Sequence, residues 1–360
     1  MQNTELDRQT YNSIDLAKFI CSILVVMIHC APFGSTETVN IITYLNFIIQ
    51  HYLARIAVPF FFVASGFLLY RKTSVSNFNT EPSQKYIVHI FKLYVIWSLI
   101  YFPFAFYNFF KDKKGIVHAI LVYTRDIIFT GCGHLWYLNA LIVAVIIVAF
   151  LLYKKIHPGK IILFAAFLYF IGLFAQSWFG FIVPLRELTP TFWNILKLLK
   201  NIIVTTRDGL FEGFFFVSMG MYLAFFNVRI KKKRALIGLG LSMILMLLEL
   251  FILQYNHYIR AYDMYFFLVP ATFFFFCFIL QVELPNSAVY KTLRILSALI
   301  FYSHPLIKNI VSKVLLITYE PLLESGLPFL LTLFITIIFS LAIIKLSELS
   351  KFRWLTNLYS

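Results

Sequence analysis

The sequence predicts an all-α protein, a polytopic membrane helix bundle of about ten transmembrane helices in a single domain over residues 1–360. Three observations carry that expectation. Of 360 residues, 61% are hydrophobic and only 13% charged, where a soluble domain is roughly half apolar and a quarter charged; mean hydropathy is +0.82. Apolar runs long enough to cross the roughly 30 Å hydrocarbon layer recur along the whole chain. None of these runs has the short alternating pattern of a membrane barrel, so helices are the way to close their backbone hydrogen bonds.

The runs lie at 14–33, 44–70, 86–110, 135–153, 161–184, 210–227, 236–255, 263–283, 292–317 and 327–346. The first lacks a distinctly basic leader and a small-x-small cleavage site, and His29 sits inside it, so it is a retained span and not a signal peptide. The mixed stretch 185–209 is expected to hold an interfacial helix from Trp193 to Ile203. The 42 Phe and 21 Tyr suit a membrane protein, Tyr favouring the interfaces. Cys21, Cys30, Cys132 and Cys277 form no CxxC pair or metal-ligand spacing and are expected as free, packed thiols.

A net charge of +15 in a soluble protein would point to nucleic acid. Here the basic residues cluster between apolar runs, as the positive-inside rule requires, and nucleic acid is set aside as a partner. Arg229, Lys231, Lys232, Lys233 and Arg234 mark one short loop as cytoplasmic, while 34–43 and 319–327 contain no Lys or Arg. Lys111, Lys113 and Lys114 weigh the other way. The balance predicts a multi-pass protein of the cell membrane with both termini in the cytoplasm.

Ionisable groups within apolar runs are the functional candidates, since each costs ~3 kcal/mol at a helix centre by insertion scales. Asp15, Lys18, Ser22 and His29 stand at i, i+3, i+7 and i+14, one face of the first helix. Function is favoured over a packing hydrogen bond for His29; Asp15 and Lys18 fit either a site or an interfacial, snorkelling role. Arg55 follows His51 by one turn and needs a carboxylate, a carbonyl or an anionic ligand. Ser65-Gly66 reads first as close helix packing. Lys85, His89 and Lys92 form a basic face, suited to phosphates and equally to anionic headgroups. His304 and Lys308 lie one turn apart in the ninth run, with Pro305 between them freeing a carbonyl one turn earlier. Trp136 and Tyr137 suit an aromatic belt. Arg207, Asp208 and Glu212 enter the sixth run, and Glu249 is a carboxyl in the seventh without an obvious partner. No Walker loop, GxSxG elbow or HExxH motif occurs, so ATP-driven transport and zinc hydrolysis are poorly supported and no metal is expected.

The chain resembles the acyltransferase family 3 membrane proteins, which move acyl groups from acyl-CoA to sugars and other envelope acceptors. The resemblance runs through Ile14-Asp-Leu-Ala-Lys-Phe to His29, Arg55-Ile-Ala-Val-Pro-Phe-Phe-Phe-Val-Ala-Ser-Gly-Phe67, His134-Leu-Trp-Tyr-Leu138 and Tyr302-Ser-His304. The first two segments also look like the membrane half of the vancomycin-resistance serine racemases, which carry a pyridoxal-phosphate domain after it. Nothing of that kind precedes Ser360, so racemisation is not expected of these residues. His29 matches the family's catalytic histidine, and Lys18 stands where many relatives have arginine. An Arg-x-x-Arg pair of the family is here His89-Ile-Phe-Lys92, which offers no bidentate fork.

The resemblance implies an O-acyltransferase using acetyl-CoA or another acyl-CoA. It places His29, Asp15 and Arg55 in the catalytic set and Lys18, Lys85, His89 and Lys92 at the donor. Ser65, Trp136 and His304 would contact the acceptor. The partners implied are the lipid bilayer, the acyl-CoA, and an envelope sugar or small hydroxyl-bearing acceptor. A different class remains open: a membrane carrier or binding protein for a small amino acid such as L-serine, with Arg55 pairing its carboxylate. A non-catalytic scaffold would leave the intramembrane Lys and Arg unexplained.

Overall fold

Backbone polar groups in hydrocarbon must be satisfied within their own segment, which helices do turn by turn. The computed structural model describes residues 2–34, 40–71, 73, 78–111, 115–129, 131, 133–191, 193–194, 205–318 and 320–360, and helix is the only regular structure among them. The α-helices are α1 (Gln2–His29), α2 (Ile41–His51), α3 (Ala57–Tyr70), α4 (Glu81–Lys111), α5 (Ile116–Phe129), α6 (Trp136–Tyr153) and α7 (Pro158–Leu173). They continue with α8 (Leu185–Leu188), α9 (Phe214–Phe225), α10 (Lys232–Tyr255), α11 (Leu268–Ile279), α12 (Val289–Thr318) and α13 (Leu327–Ser347). Seven helical segments among the described residues are long and apolar enough to cross a membrane, and three shorter apolar helices accompany them. Every expected run meets one of these. The chain is a polytopic helical membrane protein.

Two features depart from the simple run pattern. The run 44–70 is broken at its middle: Tyr52 leaves the helical region (φ −129°, ψ −75°) and Leu53–Ile56 form a 3₁₀ turn before α3. Pro59 explains the break, because it has no N–H and its ring crowds the carbonyl four residues back, that of Arg55. The second feature is α5, on a stretch with no expected span. It is pinned to α4 by the Tyr94 hydroxyl on the Ile127 carbonyl (2.5 Å) and the Tyr123 hydroxyl on that of Ser98 (2.7 Å). The interfacial helix expected from Trp193 to Ile203 falls largely on 195–204, outside the described residues, as do Cys132, Lys113 and Lys114.

The chain divides into two compact units. The first comprises Met1–Phe61, Ile230–Leu236 and Phe275–Ser360. Within it α12 packs against both α1 and α13, and Val26, Cys30, Leu296, Ile300 and Phe329 form a buried apolar cluster. On α13 the buried Thr336 and Ser340 turn their hydroxyls back onto the carbonyls of Thr332 (2.5 Å) and Thr336 (2.7 Å). Such small residues spend their polarity on their own helix and allow close helix approach.

The second unit comprises Phe62–Arg229 and Ile237–Phe274. There α9 packs on α6 and α7, and glycine sets the distance between α3 and α9. A Cβ at Gly66 would overlap the Val217 carbonyl, and one at Gly220 would overlap that of Val63. On α10 the exposed Leu241, Ile244, Leu248, Phe251 and Ile252 recur at helical spacing. Only 28% of that span is buried, so this face is left for lipid.

Candidate active site

The polar face of α1 meets a second one on α12. Arg294, Ser297, His304 and Lys308 stand at i, i+3, i+10 and i+14, the same helical face. Arg294 Nη1 lies 4.0 Å from Asp15 Oδ2, and Lys308 Nζ donates to the backbone carbonyl of His29, 279 residues away in sequence. Both contacts keep that same interval, so the two helices run parallel and in register. Asp15 and His29 are fourteen residues apart on one helix, about 21 Å at 1.5 Å per residue. The paired stripes therefore span much of the hydrocarbon thickness.

His29 closes α1 and is exposed. Its ring lies against that of His304, with centroids 5.2 Å apart and planes at 36°. His304 is fully buried, and its Nδ1 donates to the Ile300 carbonyl at 2.9 Å. That bond assigns the proton to Nδ1 and leaves the lone pair on Nε2. Lys308 supplies a cation and a donor to the last carbonyl of α1, where the helix dipole is negative and carbonyls lack helical partners. The chain after α1 is fixed as well. Asn46 accepts from Phe33 N at 3.1 Å and donates to the Gly34 carbonyl. Gly34 has φ +88°, and a Cβ there would overlap the Glu324 carbonyl, so only glycine fits. These ties hold the His29 end of α1 in one place.

Other candidates have their own surroundings. Asp15 is buried, with Arg294 half in solvent beside it. Ser22 spends its hydroxyl on the Phe19 carbonyl (2.7 Å). Arg55, within the 3₁₀ turn, donates through Nε to the Gln50 carbonyl (2.8 Å) and reaches His51 Nδ1 through Nη2 (3.2 Å). Thus the break in the helix supplies the carbonyl that this guanidinium needed.

Lys85, His89 and Lys92 belong to the second unit, along α4, with Lys85 and Lys92 exposed and His89 half-buried. Lys85 is paired with Glu81 at 2.6 Å, which removes part of the basic face. Ser65 is half-buried next to Gly66, at the tight approach of α3 to α9. Trp136 carries the Arg207 guanidinium 4.7 Å above its ring, and Arg207 pairs with Asp263 at 3.2 Å. Asp208 accepts from Leu210 N and Phe211 N, each at 2.9 Å, and caps the π turn Gly209–Gly213. Burial raises its carboxyl pKa, and those two N–H groups pull it back down.

The structure thus assembles His29, His304 and Lys308 at one end of the α1–α12 pair, and Asp15 and Arg294 at the other. Sequence reasoning missed Arg294 and left Lys308 outside the site. The signal was present: with Ser297 and His304 they form on α12 the same kind of stripe that was noticed on α1. The Arg207–Asp263 pair gave no local signal, because its members are 56 residues apart.

An acyltransferase domain family matches residues 11–345. Among curated proteins, the chain is 35% identical over 227 residues to an amino-acid racemase of Enterococcus faecalis, covering 62% of the chain and 30% of that relative. A second amino-acid racemase of the same organism is 30% identical over 331 residues, 88% of the chain and 43% of the relative. A serine/alanine racemase of Enterococcus gallinarum is 30% identical over 282 residues, 74% of the chain and 37% of the relative. The matches to this chain therefore cover less than half the length of each relative. No solved structure matches it.

Proposed function

The chain belongs to the acyltransferase family 3, and on that premise we propose that it moves an acyl group, acetyl in the simplest case, from acyl-CoA to a hydroxyl of an envelope-associated acceptor such as a sugar. The observation that carries this reading is the placement of His29. An exposed imidazole stands at the end of a polar seam, against a buried histidine of assigned tautomer. His29 removes the proton from the acceptor hydroxyl as its oxygen attacks the thioester carbonyl. The tetrahedral intermediate collapses, the C–S bond breaks, and the CoA thiolate takes that proton back from the imidazolium. His304 Nε2 serves as an acceptor that orients the incoming hydroxyl. Arg55 stabilises the developing oxyanion. Asp15, about 21 Å along α1 from His29, acts with Lys18 on the donor side and not on the reacting atoms.

In this reading the CoA phosphates are met by Lys85, His89 and Lys92 on α4 and by Lys18, as point charges. Ser65 and Trp136 contribute acceptor contacts, one domain carries the whole activity, and both termini face the cytoplasm. The test is acyl transfer from labelled acetyl-CoA in proteoliposomes, together with calorimetric binding of acetyl-CoA to wild type and Lys92→Ala. Saturable binding that weakens in the variant supports the proposal. No binding at millimolar acetyl-CoA by folded protein rejects it.

A second reading draws on the relatives, whose names concern amino acids and serine/alanine. In it the chain carries or binds a small amino acid such as L-serine, and Arg55 meets the carboxylate in the helix break. Serine uptake by sealed vesicles that is lost in Arg55→Ala favours this; intact protein without uptake excludes it.

A further inference from the structure

The 21 residues of α13 cover about 32 Å at 1.5 Å per residue, close to the thickness of the hydrocarbon layer. The chain after Ser347 therefore emerges at the level of the headgroups. There Ser350–Leu358 form a 3₁₀ helix of nine residues, where such runs seldom exceed three or four. Three residues per turn sort its side chains onto three faces. Phe352, Leu355 and Leu358 share the inner one: Leu355 and Leu358 are buried, Phe352 is half-buried, and the segment packs back on α13. The Ser347 and Tyr359 hydroxyls, 2.8 Å apart, tie its far end to that helix.

The other two faces are open. Lys351 and Trp354 stand on one and Arg353 on the next, all exposed. Trp354 is 61% exposed, and Leu349, just before the segment, 54%. Two large apolar side chains left outside beside two cations suit neither water nor hydrocarbon alone. They suit the boundary, where an indole lies among the headgroups and Lys and Arg reach phosphates. Charge narrows the class of lipid. Lys345, in the last turn of α13, is a third exposed cation, and the only carboxylate in residues 345–360 is Glu348. Lys291 is a fourth, from α12: Leu293 and Ile344 pack against one apolar cluster, which brings the start of α12 to the end of α13. Among the described residues, none of these four cations pairs with a carboxylate.

We propose that Lys345, Lys351, Arg353 and Trp354 form a docking face for anionic phospholipid, with the indole between headgroups and the cations on their phosphates. The face is independent of the chemistry at His29.

The test uses the full chain in mixed vesicles of phosphatidylcholine and phosphatidylglycerol, with bromine high in the acyl chains of one lipid or the other. The signal of Trp354 is the difference in tryptophan quenching between wild type and Trp354→Phe. Brominated phosphatidylglycerol is expected to quench it at least ~5-fold more effectively than brominated phosphatidylcholine at equal mole fraction. Salt at about 1 M, where the screening length falls to about 3 Å, should remove most of that preference. The double variant Lys351→Gln/Arg353→Gln should bring the two lipids within about 2-fold of each other, whereas Lys351→Arg/Arg353→Lys should keep the preference, because the charges remain. Equal quenching of the wild type by both lipids overturns the proposal, since the face then meets the interface without choosing a headgroup. No quenching by either means that the segment stands off the bilayer, and overturns it as well. A preference that survives the double glutamine variant belongs to other cations and rejects this face.

Discussion

Glu249 on α10 and His29 on α1 are both ionisable groups in apolar helices, yet their surroundings differ in kind. Glu249 accepts from the Trp178 indole (2.7 Å), Phe266 N (2.9 Å) and Phe267 N (3.0 Å), and is nearly closed off from solvent. Its carboxylate ties the start of α11 to α10 and to the turn after α7. His29 is exposed, with its backbone held by Lys308 and its ring lying on a buried histidine. The cost of placing a polar group in a membrane helix is therefore not enough to identify a working one. What separates the two is that Glu249 is buried with its carboxylate accepting three hydrogen bonds, whereas His29 stands exposed at the end of α1.

That contrast can be broken most directly at His29. The His29→Ala variant should lose at least ~10³-fold in transfer rate, about 4 kcal/mol of transition-state stabilisation, while keeping its thermal midpoint. Transfer that persists would remove the distinction. The reverse pattern is expected at Glu249. Glu249→Ala strands three buried N–H donors and should cost about 3 kcal/mol of stability, seen as a lower midpoint in detergent, with the activity of the folded fraction intact. A smaller effect is expected at Lys308: Lys308→Met should slow turnover ~10-fold by loosening the end of α1, and Lys308→Arg should restore most of it. If arginine rescues nothing, the cap is not what positions His29. The smallest change belongs to Arg294, half-exposed and 4.0 Å from Asp15. Arg294→Gln should alter stability by less than ~1 kcal/mol; a larger loss would make the Asp15 end as important as the His29 end.

The helical layout was legible in the sequence because lipid leaves few choices: each apolar run met an apolar helix. The break before α3 was half legible. Pro59 could be seen, but the turn that lets Arg55 reach the Gln50 carbonyl could not. Helix α5 escaped notice because Arg125 and Asp126 interrupt its apolar pattern, and their mutual pairing at 2.6 Å is invisible to hydropathy. At the site, the stripe on α1 was plain from spacing alone. Its partner on α12 was not, because register between distant helices is fixed by packing and not by local pattern. Glu249 looked unpartnered for a related reason: two of its three donors are backbone groups, which no residue name discloses.

The parallel, in-register pairing of α1 with α12 also bears on how the protein is made. The residues that meet at its Lys308–His29 contact are 279 positions apart, and synthesis at ~5–20 residues per second puts about 15–55 s between their emergence. During that interval Asp15, Lys18 and His29 are in the membrane, or at its edge, without the helix that answers them. Helix α1 thus waits for a helix made 279 residues later, and chains interrupted before α12 present an uncompensated polar stripe.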